Sequence, residues 1–317
     1  MNKVFEVLYK YYGYNSFRKG QYEIINNILS KRDTFCILPT GGGKSICYQI
    51  PALLFNGVTI VISPLIALMK DQVDNLKANG INAEYINSTK NLENIDRIME
   101  MCRNGKVKLL YIAPERLENE FFKKKLRKLN ISQLAIDEAH CVSMWGHDFR
   151  KSYGLINNFI NSLIIRPVIT AFTATATEIV RKDIVELLGL RNPYTYIGSF
   201  DRDNLSIRVH IEEDKLELVK DIIKDKENEA GIIYCATRKE VEGLHFYLKD
   251  LGYDVLKYHG GLKDEEKEYY QDEFLNESSN VMIATNAFGM GIDKSNVRYI
   301  IHFTIPKNIE SYYQEIG

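Results

Sequence analysis

Short runs of aliphatic and β-branched residues alternate along the chain with longer segments of helical periodicity. Such runs are typical of buried strands, whereas segments such as SPLIALMKDQVDNLKANG and ATEIVRKDIVELLG repeat their apolar residues as an amphipathic helix does. Alternating strands and helices predict an α/β fold with parallel sheets covered on both faces, and ligands bind such sheets at the carboxyl ends of the strands. The predicted strands are TFCIL, VTIVIS, VKLLYIA, QLAID and PVITAF in the first part and AGIIYC, NVMIAT and VRYIIHF in the second.

The alternation pauses once, in the segment GLRNPYTYIGSFDRDN at residues 189–204. This segment is rich in turn formers and has no sustained period, so we expect a domain boundary near residue 198. The boundary gives an N-terminal domain of residues 1–198 and a C-terminal domain of residues 199–317. A chain of 317 residues with 45% hydrophobic residues is long and apolar enough for two domains.

Composition and charge limit the classes of function. Five cysteines without CxxC spacing predict reduced thiols rather than zinc ligands or disulfides. No apolar run approaches the roughly 18 residues of a membrane span, and the N-terminal residues lack a secretory signal, so we expect a cytoplasmic protein with no membrane partner. A net charge of −1 means that binding to nucleic acid requires local patches. The basic run at residues 121–128 is one candidate, although such runs are more often solvated helix faces.

The segment LPTGGGKSICYQI has the composition of a phosphate-binding loop between a strand and a helix that begins near Lys44. Glycines let backbone N–H groups approach a phosphate, the helix N-terminus favours negative charge, and the serine hydroxyl can bind Mg²⁺. Leu38 occupies the first glycine position of the strict GxxxxGKS pattern, and no GxGxxG fingerprint is present. The candidate phosphate-binding residues are Thr40, Gly41, Gly42, Gly43, Lys44 and Ser45.

Two carboxylates follow the predicted strand QLAI, in the run DEAH. Asp137 would hold the Mg²⁺ directly or through water, and Glu138 would polarise the water that attacks the γ-phosphate. A solvated turn would explain an isolated Asp-Glu pair at the end of a strand. Together with the phosphate loop, however, the pair predicts an ATP-hydrolysing site.

The motifs and their order resemble the RecQ DNA helicases of superfamily 2, over essentially the whole chain. The resemblance implies two RecA-like domains with a nucleotide cleft between them, and a 3′-to-5′ helicase that uses ATP and Mg²⁺ on single-stranded, forked or partial duplex DNA. We expect a monomer, with DNA repair proteins as candidate partners. The matching motifs are FRKGQ, PTGGGKS, SPLIALMKDQV, YIAPERL, DEAH, AFTATAT, IIYCATRKEVE, YHGGL and TNAFGMGIDKSNVR.

Further nucleotide-binding residues are implied by the resemblance. Gln21 would recognise the adenine edge, Arg18 would contact the nucleotide, and Tyr14 would stack on the base. An ordinary aromatic anchor between N-terminal helices is the alternative for Tyr14. Gly291 and Asp293 would face the nucleotide from the second domain.

The segment CVSMWGHDFR resembles the aromatic-rich loop by which this family couples DNA binding to ATP hydrolysis. Trp145 and Phe149 would stack on unpaired bases, and Arg150 would pair with a phosphate or reach towards the nucleotide. His147 and His140 would transmit a signal between the two sites. Alternatively, the aromatic residues are buried core and the histidines are hydrogen-bonded polar groups.

Other DNA-contacting positions are also implied by the resemblance. The threonines of AFTATAT would transmit the state of the phosphate or touch the DNA backbone, although helix capping by Thr175 or Thr177 explains them equally well. In the second domain the residues expected to grip the DNA backbone are Thr237, Arg238, His259, Gly260 and Gly261.

The chain ends SYYQEIG, where the resemblance starts the last helicase motif at Gln314 and places its arginines after Gly317. Such arginines contribute a factor on the order of 10³–10⁵ to the rate in comparable NTPases. We therefore expect this chain to bind Mg·ATP and DNA but to turn ATP over slowly. The alternatives are an RNA helicase of the same superfamily and a non-catalytic, nucleotide-dependent binding protein.

Overall fold

The computed structural model describes residues 3–87, 91–146, 148–199, 202, 204–211, 214–276, 279–288, 294 and 296–317. The chain separates into two compact units, residues 1–200 and 201–317. No helix among the described residues is long and apolar enough to cross a membrane. The predicted α/β class is confirmed, because each unit contains a parallel sheet with helices.

The first unit contains a seven-stranded sheet in the order β3-β4-β2-β5-β6-β1-β7. Since the pairings are parallel, the carboxyl ends of β2, β5, β6 and β1 lie side by side at one edge. The strands are β1 (Thr34–Ile37), β2 (Val58–Ile62), β3 (Ala83–Ile86), β4 (Leu109–Ile112), β5 (Ile131–Ile136), β6 (Val168–Thr173) and β7 (Tyr194–Ile197). The helices are α1 (Lys3–Tyr12), α2 (Gln21–Leu29), α3 (Lys44–Leu54), α4 (Ile66–Ala78), α5 (Leu92–Arg103), α6 (Glu120–Leu126), α7 (Leu155–Asn161) and α8 (Glu178–Leu187).

Alternate side chains of the central strands enter different hydrophobic clusters. On β4, Leu110 and Ile112 belong to one cluster, whereas Leu109 and Tyr111 belong to another. This arrangement explains why the strands are continuous apolar runs, since a parallel sheet is buried on both faces. Each fully buried aliphatic side chain stabilises the fold by about 1.5–3 kcal/mol relative to exposure.

The amino ends of β1 and β6 are joined by a buried ion pair. Asp33 is 4% exposed, and its two carboxylate oxygens accept from the Arg166 guanidinium at 2.9 and 2.6 Å. The same carboxylate accepts from the backbone N–H groups of Ile169 (3.0 Å) and Arg191 (2.8 Å). Asp33 therefore fixes the end of the sheet that lies opposite the carboxyl ends of the strands.

Replacing Asp33 with alanine leaves the Arg166 guanidinium without its charge partner, so the free energy of unfolding of the first unit should fall by about 3–5 kcal/mol. Urea denaturation measures this change. The control is Asp96→Ala, which removes the more exposed partner of Lys125 and should change the free energy by less than about 1 kcal/mol. Equal losses in the two variants would contradict the role given to Asp33.

The second unit contains a four-stranded parallel sheet in the order β11-β8-β10-β9. Its strands also divide between two clusters: Val281 and Ile283 of β10 enter one, and Met282 and Ala284 enter the other. The elements are α9 (Lys215–Asp225), β8 (Ala230–Tyr234), α10 (Arg238–Asp250), β9 (Val255–Tyr258), α11 (Asp264–Leu275), β10 (Val281–Ala284), β11 (Val297–His302) and α12 (Ile309–Glu315).

The structure differs from the sequence prediction at short strands with polar or aromatic residues. The strands β3, β7 and β9 were not predicted, and β7 lies inside the segment that was assigned to turns. The basic run forms α6 and the turn after it, where Lys123 pairs with Glu120 (2.5 Å) and Arg127 donates to Ser162 (3.0 Å). Lys123 and Lys125 are only partly exposed, so these two lysines pack against the first unit as well as facing solvent. All five cysteines are buried free thiols.

Candidate active site

The predicted phosphate loop lies between β1 and α3, at the carboxyl edge of the first sheet. Gly41 and Gly43 have φ angles of 69° and 76°, in the left-handed region that glycine adopts readily. A side chain at Gly43 would also collide with the Gln21 amide. The loop therefore requires glycine for its conformation and, at Gly43, for its contact with Gln21.

The polar residues of this loop stand at the start of α3. Lys44 Nζ lies 3.4 Å from the Leu38 carbonyl oxygen, to which it donates, and Ser45 is partly buried in the first turn of the helix. Thr40 is exposed. The cation and the hydroxyl expected to meet phosphate and Mg²⁺ are therefore adjacent.

Gln21 and Arg18 contact the backbone of the phosphate loop. The buried Gln21 amide donates to the Gly43 carbonyl (3.2 Å), and its oxygen accepts from the Arg18 N–H (2.9 Å). The Arg18 guanidinium donates to the Gly41 carbonyl. Tyr14 is 54% exposed. These contacts show how the FRKGQ segment supports the loop, while the recognition of adenine by Gln21 stays a prediction.

Asp137 and Glu138 follow directly on β5. The Asp137 N–H donates to the Ile62 carbonyl (2.9 Å), and the Asp137 carbonyl accepts from the Tyr153 hydroxyl (2.8 Å). Glu138 has a φ of 46°, which is uncommon for a residue other than glycine and costs on the order of 1 kcal/mol. This strained backbone fixes the direction of the Glu138 side chain.

Tyr153 was missed by the sequence analysis. It is fully buried in the short 3₁₀-helix Lys151–Gly154, and its hydroxyl reaches back across the aromatic-rich loop to Asp137. Nothing in the local sequence KSYG distinguishes such a tyrosine from an ordinary core residue. Its partner could be recognised only from the fold.

The carboxyl group of Asp137 has a strongly shifted pKa. Burial is the main cause, the neighbouring Glu138 adds to it, and Lys44 opposes both, so that the pKa rises from 3.8 to about 7. A cation beside Asp137 would favour the ionised carboxylate. The electrostatics are therefore those of a site that gains stability when a metal ion binds.

His140 connects the carboxylates to the end of β6. Its Nδ1 lies 2.8 Å from Thr173 Oγ1 and 3.3 Å from Glu138 Oε2. The single proton of the Thr173 hydroxyl is donated to the Thr175 carbonyl (2.9 Å), so His140 Nδ1 carries the proton that it shares with Thr173. Glu138 is thereby coupled to the AFTATAT segment.

Thr175 and Thr177, for which helix capping was the alternative interpretation, have different positions in the structure. Thr177 is the N-cap of α8, where its hydroxyl accepts from the Val180 N–H at 3.4 Å. Thr175 is buried and accepts the Thr173 bond through its carbonyl. Helix capping therefore describes Thr177, whereas Thr175 belongs to the connection that ends at His140.

The aromatic-rich loop is closed at its base and exposes its aromatic residues. The Arg150 N–H donates to the Cys141 carbonyl (2.9 Å). Trp145 is 76% exposed and Phe149 is 41% exposed, so Trp145 is not the core residue of the alternative interpretation. His147 lies outside the described residues.

Arg150 is engaged inside the first unit. Its guanidinium donates to Asp148 Oδ2 at 3.2 Å and to the Pro64 carbonyl at 2.9 Å. The second bond ties the loop to the residues that precede α4. Arg150 thus supports the base of the loop, and its predicted contact with phosphate or nucleotide stays a prediction.

The predicted DNA-contacting residues of the second unit lie at the carboxyl ends of β8 and β9. Thr237 caps α10 in a capping box with Glu240. His259 is buried, accepts from the Gly261 N–H at Nδ1 (3.1 Å) and donates from Nε2 to Glu242 (2.9 Å). These hydrogen bonds tie the His259–Gly261 turn to Glu242 of α10.

Arg238 packs over the same turn. A Cβ atom built on Gly261 would lie 2.9 Å from Arg238 Nη1, and one built on Gly260 would lie 3.6 Å from Nη2. The guanidinium is therefore held close to backbone that lacks side chains. Gly291 and Asp293 lie outside the described residues.

The residues of the first unit fit Mg²⁺ and a nucleotide. The glycine-lined loop leaves room for phosphate, and Lys44, Ser45 and Asp137 supply a cation, a hydroxyl and a carboxylate. Glu138 Oε2 is buried and has no hydrogen-bond partner among the described residues. Such an atom is a ready acceptor for a bound water.

Comparison with known families agrees with this geometry. Residues 18–183 match the model of the DEAD/DEAH box helicases, and residues 214–317 match that of the helicase conserved C-terminal domain. The chain belongs to the DEAD/DEAH box helicase family, and it is similar to curated RecQ DNA helicases. The resemblance to RecQ stated from the motifs is thus confirmed.

The relatives extend beyond the length of this chain. It is 49% identical to the ATP-dependent DNA helicase RecQ of Bacillus subtilis, over 100% of the chain and 54% of the relative. It is 45% identical to the RecQ of Pasteurella multocida, over 98% of the chain and 49% of the relative. The chain therefore spans about half the length of these proteins.

A solved structure of S. cerevisiae Dbp5 bound to RNA and ADP BeF3 shares the fold. The TM-score is 0.78 at 19% identity, and the match covers 100% of this chain and 83% of Dbp5. At this identity the likeness establishes the fold alone. It confirms two RecA-like domains with parallel sheets.

Replacing Asp137 with asparagine should stabilise the ligand-free protein above pH 7. The unfolded carboxyl group titrates near its ordinary pKa of 3.8 and the folded one at about 7, so the folded state holds the proton more tightly between these values. Stability from this group is present at low pH and is lost as the pH rises through about 7.

Thermal unfolding from pH 5 to pH 8 tests this expectation. The thermal midpoint of the Asp137→Asn variant should be a few degrees higher than that of the parent protein at pH 8, and this difference should shrink towards pH 5. Asp96→Asn, which changes an exposed carboxylate, serves as the control and should show no such trend. A difference that does not depend on pH would contradict the assignment.

Proposed function

We propose that this chain is the core of an ATP-dependent DNA helicase that moves 3′ to 5′ along single-stranded DNA and unwinds forked or partial duplexes. One observation carries the proposal. Glu138 stands in a strained backbone beside Asp137 and connects through His140 to Thr173, and the same segment of chain leads directly into the exposed aromatic-rich loop. The RecQ relatives, which are named ATP-dependent DNA helicases, support it.

The nucleotide would bind to the phosphate loop of the first unit. Backbone N–H groups of the loop and Lys44 would hold the phosphates, while Ser45 and Asp137 would hold the Mg²⁺. When bound, Mg²⁺ neutralises charge that develops on the phosphates. Glu138 Oε2, which has no hydrogen-bond partner among the described residues, would orient the attacking water and accept its proton.

DNA would bind to the aromatic-rich loop. Trp145 and Phe149 offer ring faces to unpaired bases, and stacking is worth about 1–3 kcal/mol per base. A short buried 3₁₀-helix, Ala139–Val142, separates Glu138 from the exposed part of the loop. A displacement of Trp145 would therefore reach the Glu138 carboxylate over a short distance. In the second unit, Thr237, Arg238 and the His259–Gly261 turn would contact the DNA backbone.

The alternatives differ in a measurable response. A stacking loop alone accepts either polymer, so an RNA helicase would be stimulated more by RNA than by DNA. A non-catalytic binding protein would bind nucleotide without turnover. The expectation that this chain on its own turns ATP over slowly stays a prediction, and the same assay measures it.

We expect ATP turnover by the 317-residue chain to rise with single-stranded DNA, and more than with RNA of equal length. Glu138→Gln should lower turnover by about 10²-fold or more because it removes the proton acceptor, yet it should still bind nucleotide. Partial duplexes with a 3′ or a 5′ single-stranded end test the direction of movement.

Each contrary outcome selects another function. Greater stimulation by RNA would support the RNA helicase. Nucleotide binding with turnover no higher than that of Glu138→Gln would support the non-catalytic protein. Unwinding only from a 5′ end would overturn the proposed polarity.

A further inference from the structure

The aromatic-rich loop, residues 141–150, is bonded to helix α8 by two side chains that the proposed reaction does not use. Ser143 is fully buried, and its hydroxyl donates to Asp183 Oδ2 at 2.5 Å. Hydroxyl groups that donate to a carboxylate typically do so at about 2.5–2.7 Å. Asp183 is partly exposed and immediately precedes Ile184, which is fully buried. A helix that is anchored in the core therefore carries the acceptor.

The Ser143 hydroxyl also holds the backbone of Trp145. Ser143 Oγ accepts from the Trp145 N–H at 3.1 Å. The order of these two bonds is fixed at both ends, because a backbone N–H can only donate and a carboxylate oxygen accepts. The hydroxyl therefore links the Asp183 carboxylate directly to the peptide that carries the Trp145 ring.

The backbone of Ser143 closes the turn around Trp145. The Ser143 N–H donates to the His140 carbonyl (3.1 Å), and the Ser143 carbonyl accepts from the Gly146 N–H (3.0 Å). A Cβ atom built on Gly146 would lie 2.4 Å from the His140 carbonyl oxygen, so the turn requires glycine at this position. Both peptides that flank Trp145 thus bond to one buried serine.

This turn orders the Trp145 ring before DNA binds. The side chain is 76% exposed and has little packing of its own, so its direction depends on the backbone from which it projects. A side chain that must be ordered on association lowers the affinity by about two- to tenfold. A backbone that is fixed in advance removes part of this cost.

We propose that Asp183 is a positioning residue for DNA binding, which acts through Ser143 to hold Trp145 in the direction in which it stacks on a base. The inference rests on the proposed contact between the aromatic-rich loop and DNA. It also connects the loop to α8, which follows directly on the AFTATAT segment. This connection is separate from the bond that His140 makes.

Two measurements test the proposal. Since Trp145 is the only tryptophan in the sequence, its emission anisotropy in the ligand-free protein reports how firmly the ring is held. The affinity for a fluorescently labelled oligothymidylate is measured separately, from the anisotropy of the label. Asp183→Ala should lower the tryptophan anisotropy and weaken oligothymidylate binding about threefold to tenfold. Ser143→Ala should do the same, and the double variant should be no weaker than either single one.

Asp183→Asn separates the hydrogen bond from the charge. The amide oxygen of asparagine can still accept from Ser143, so this variant should keep the tryptophan anisotropy of the parent protein and bind at least as tightly. A purely electrostatic role predicts instead that Asp183→Ala and Asp183→Asn both bind more tightly, because each removes a negative charge beside the DNA backbone.

A matched control is a second buried serine next to the same loop. Ser152, in the 3₁₀-helix Lys151–Gly154, donates to Glu115 Oε1 at 3.0 Å. Ser152→Ala removes a bond of the same chemistry that does not involve Trp145. It should lower the thermal midpoint, as Ser143→Ala does, but should leave the tryptophan anisotropy and the affinity for oligothymidylate unchanged.

Unchanged tryptophan anisotropy or tighter DNA binding in Asp183→Ala would overturn the inference, as would equal losses in Ser152→Ala. If Asp183→Ala does not fold, Ser143→Ala breaks the same bond, and its results decide. Failure of the proposed DNA contact is a separate result. Trp145→Ala would then bind oligothymidylate as tightly as the parent protein, while the ligand-free anisotropy would still report whether Asp183 holds the ring.

Discussion

The hydrogen bond between His140 Nδ1 and Thr173 Oγ1 is the interaction on which the candidate site depends. It joins the residues after β5 to the end of β6, and so connects the acidic pair to the AFTATAT segment. Thr173 in turn donates to the Thr175 carbonyl, which leaves His140 as the donor. Since His140 Nδ1 also lies 3.3 Å from Glu138, a change in the charge near Glu138 acts directly on this bond.

The rest of the first unit compensates for two unfavourable features of this arrangement. Glu138 holds a left-handed backbone, and Asp137 carries a carboxyl group whose pKa burial has raised. Both features are unfavourable without a ligand. They are offset by a sheet that is buried on both faces and by the Asp33–Arg166 pair, which fixes the opposite ends of β1 and β6. The buried ion pair and the candidate site thus lie at opposite ends of the strands of one sheet.

Much of the fold and part of the site could be predicted from the sequence. Long apolar strands, the glycines before Lys44 and the acidic pair after β5 are local signals, because each depends on residues that are adjacent in the chain. The strands β3 and β7 carry little apolar periodicity, and their positions are set by pairing with β4 and β1. The partners of Ser143, Tyr153 and His140 are distant in sequence, so only the folded sheet brings them into contact.

We expect His140 to couple the nucleotide site to the aromatic-rich loop. Trp145 is the only tryptophan in the sequence, so its intrinsic fluorescence reports binding of single-stranded DNA directly. Titrations with DNA, in the presence and absence of a non-hydrolysable ATP analogue and Mg²⁺, give the factor by which the nucleotide changes the affinity for DNA. Factors of about 5–150 are typical of such coupling. We expect such a factor for the parent protein and a factor near one for His140→Ala, with each ligand still binding alone. Unchanged coupling in His140→Ala would contradict it.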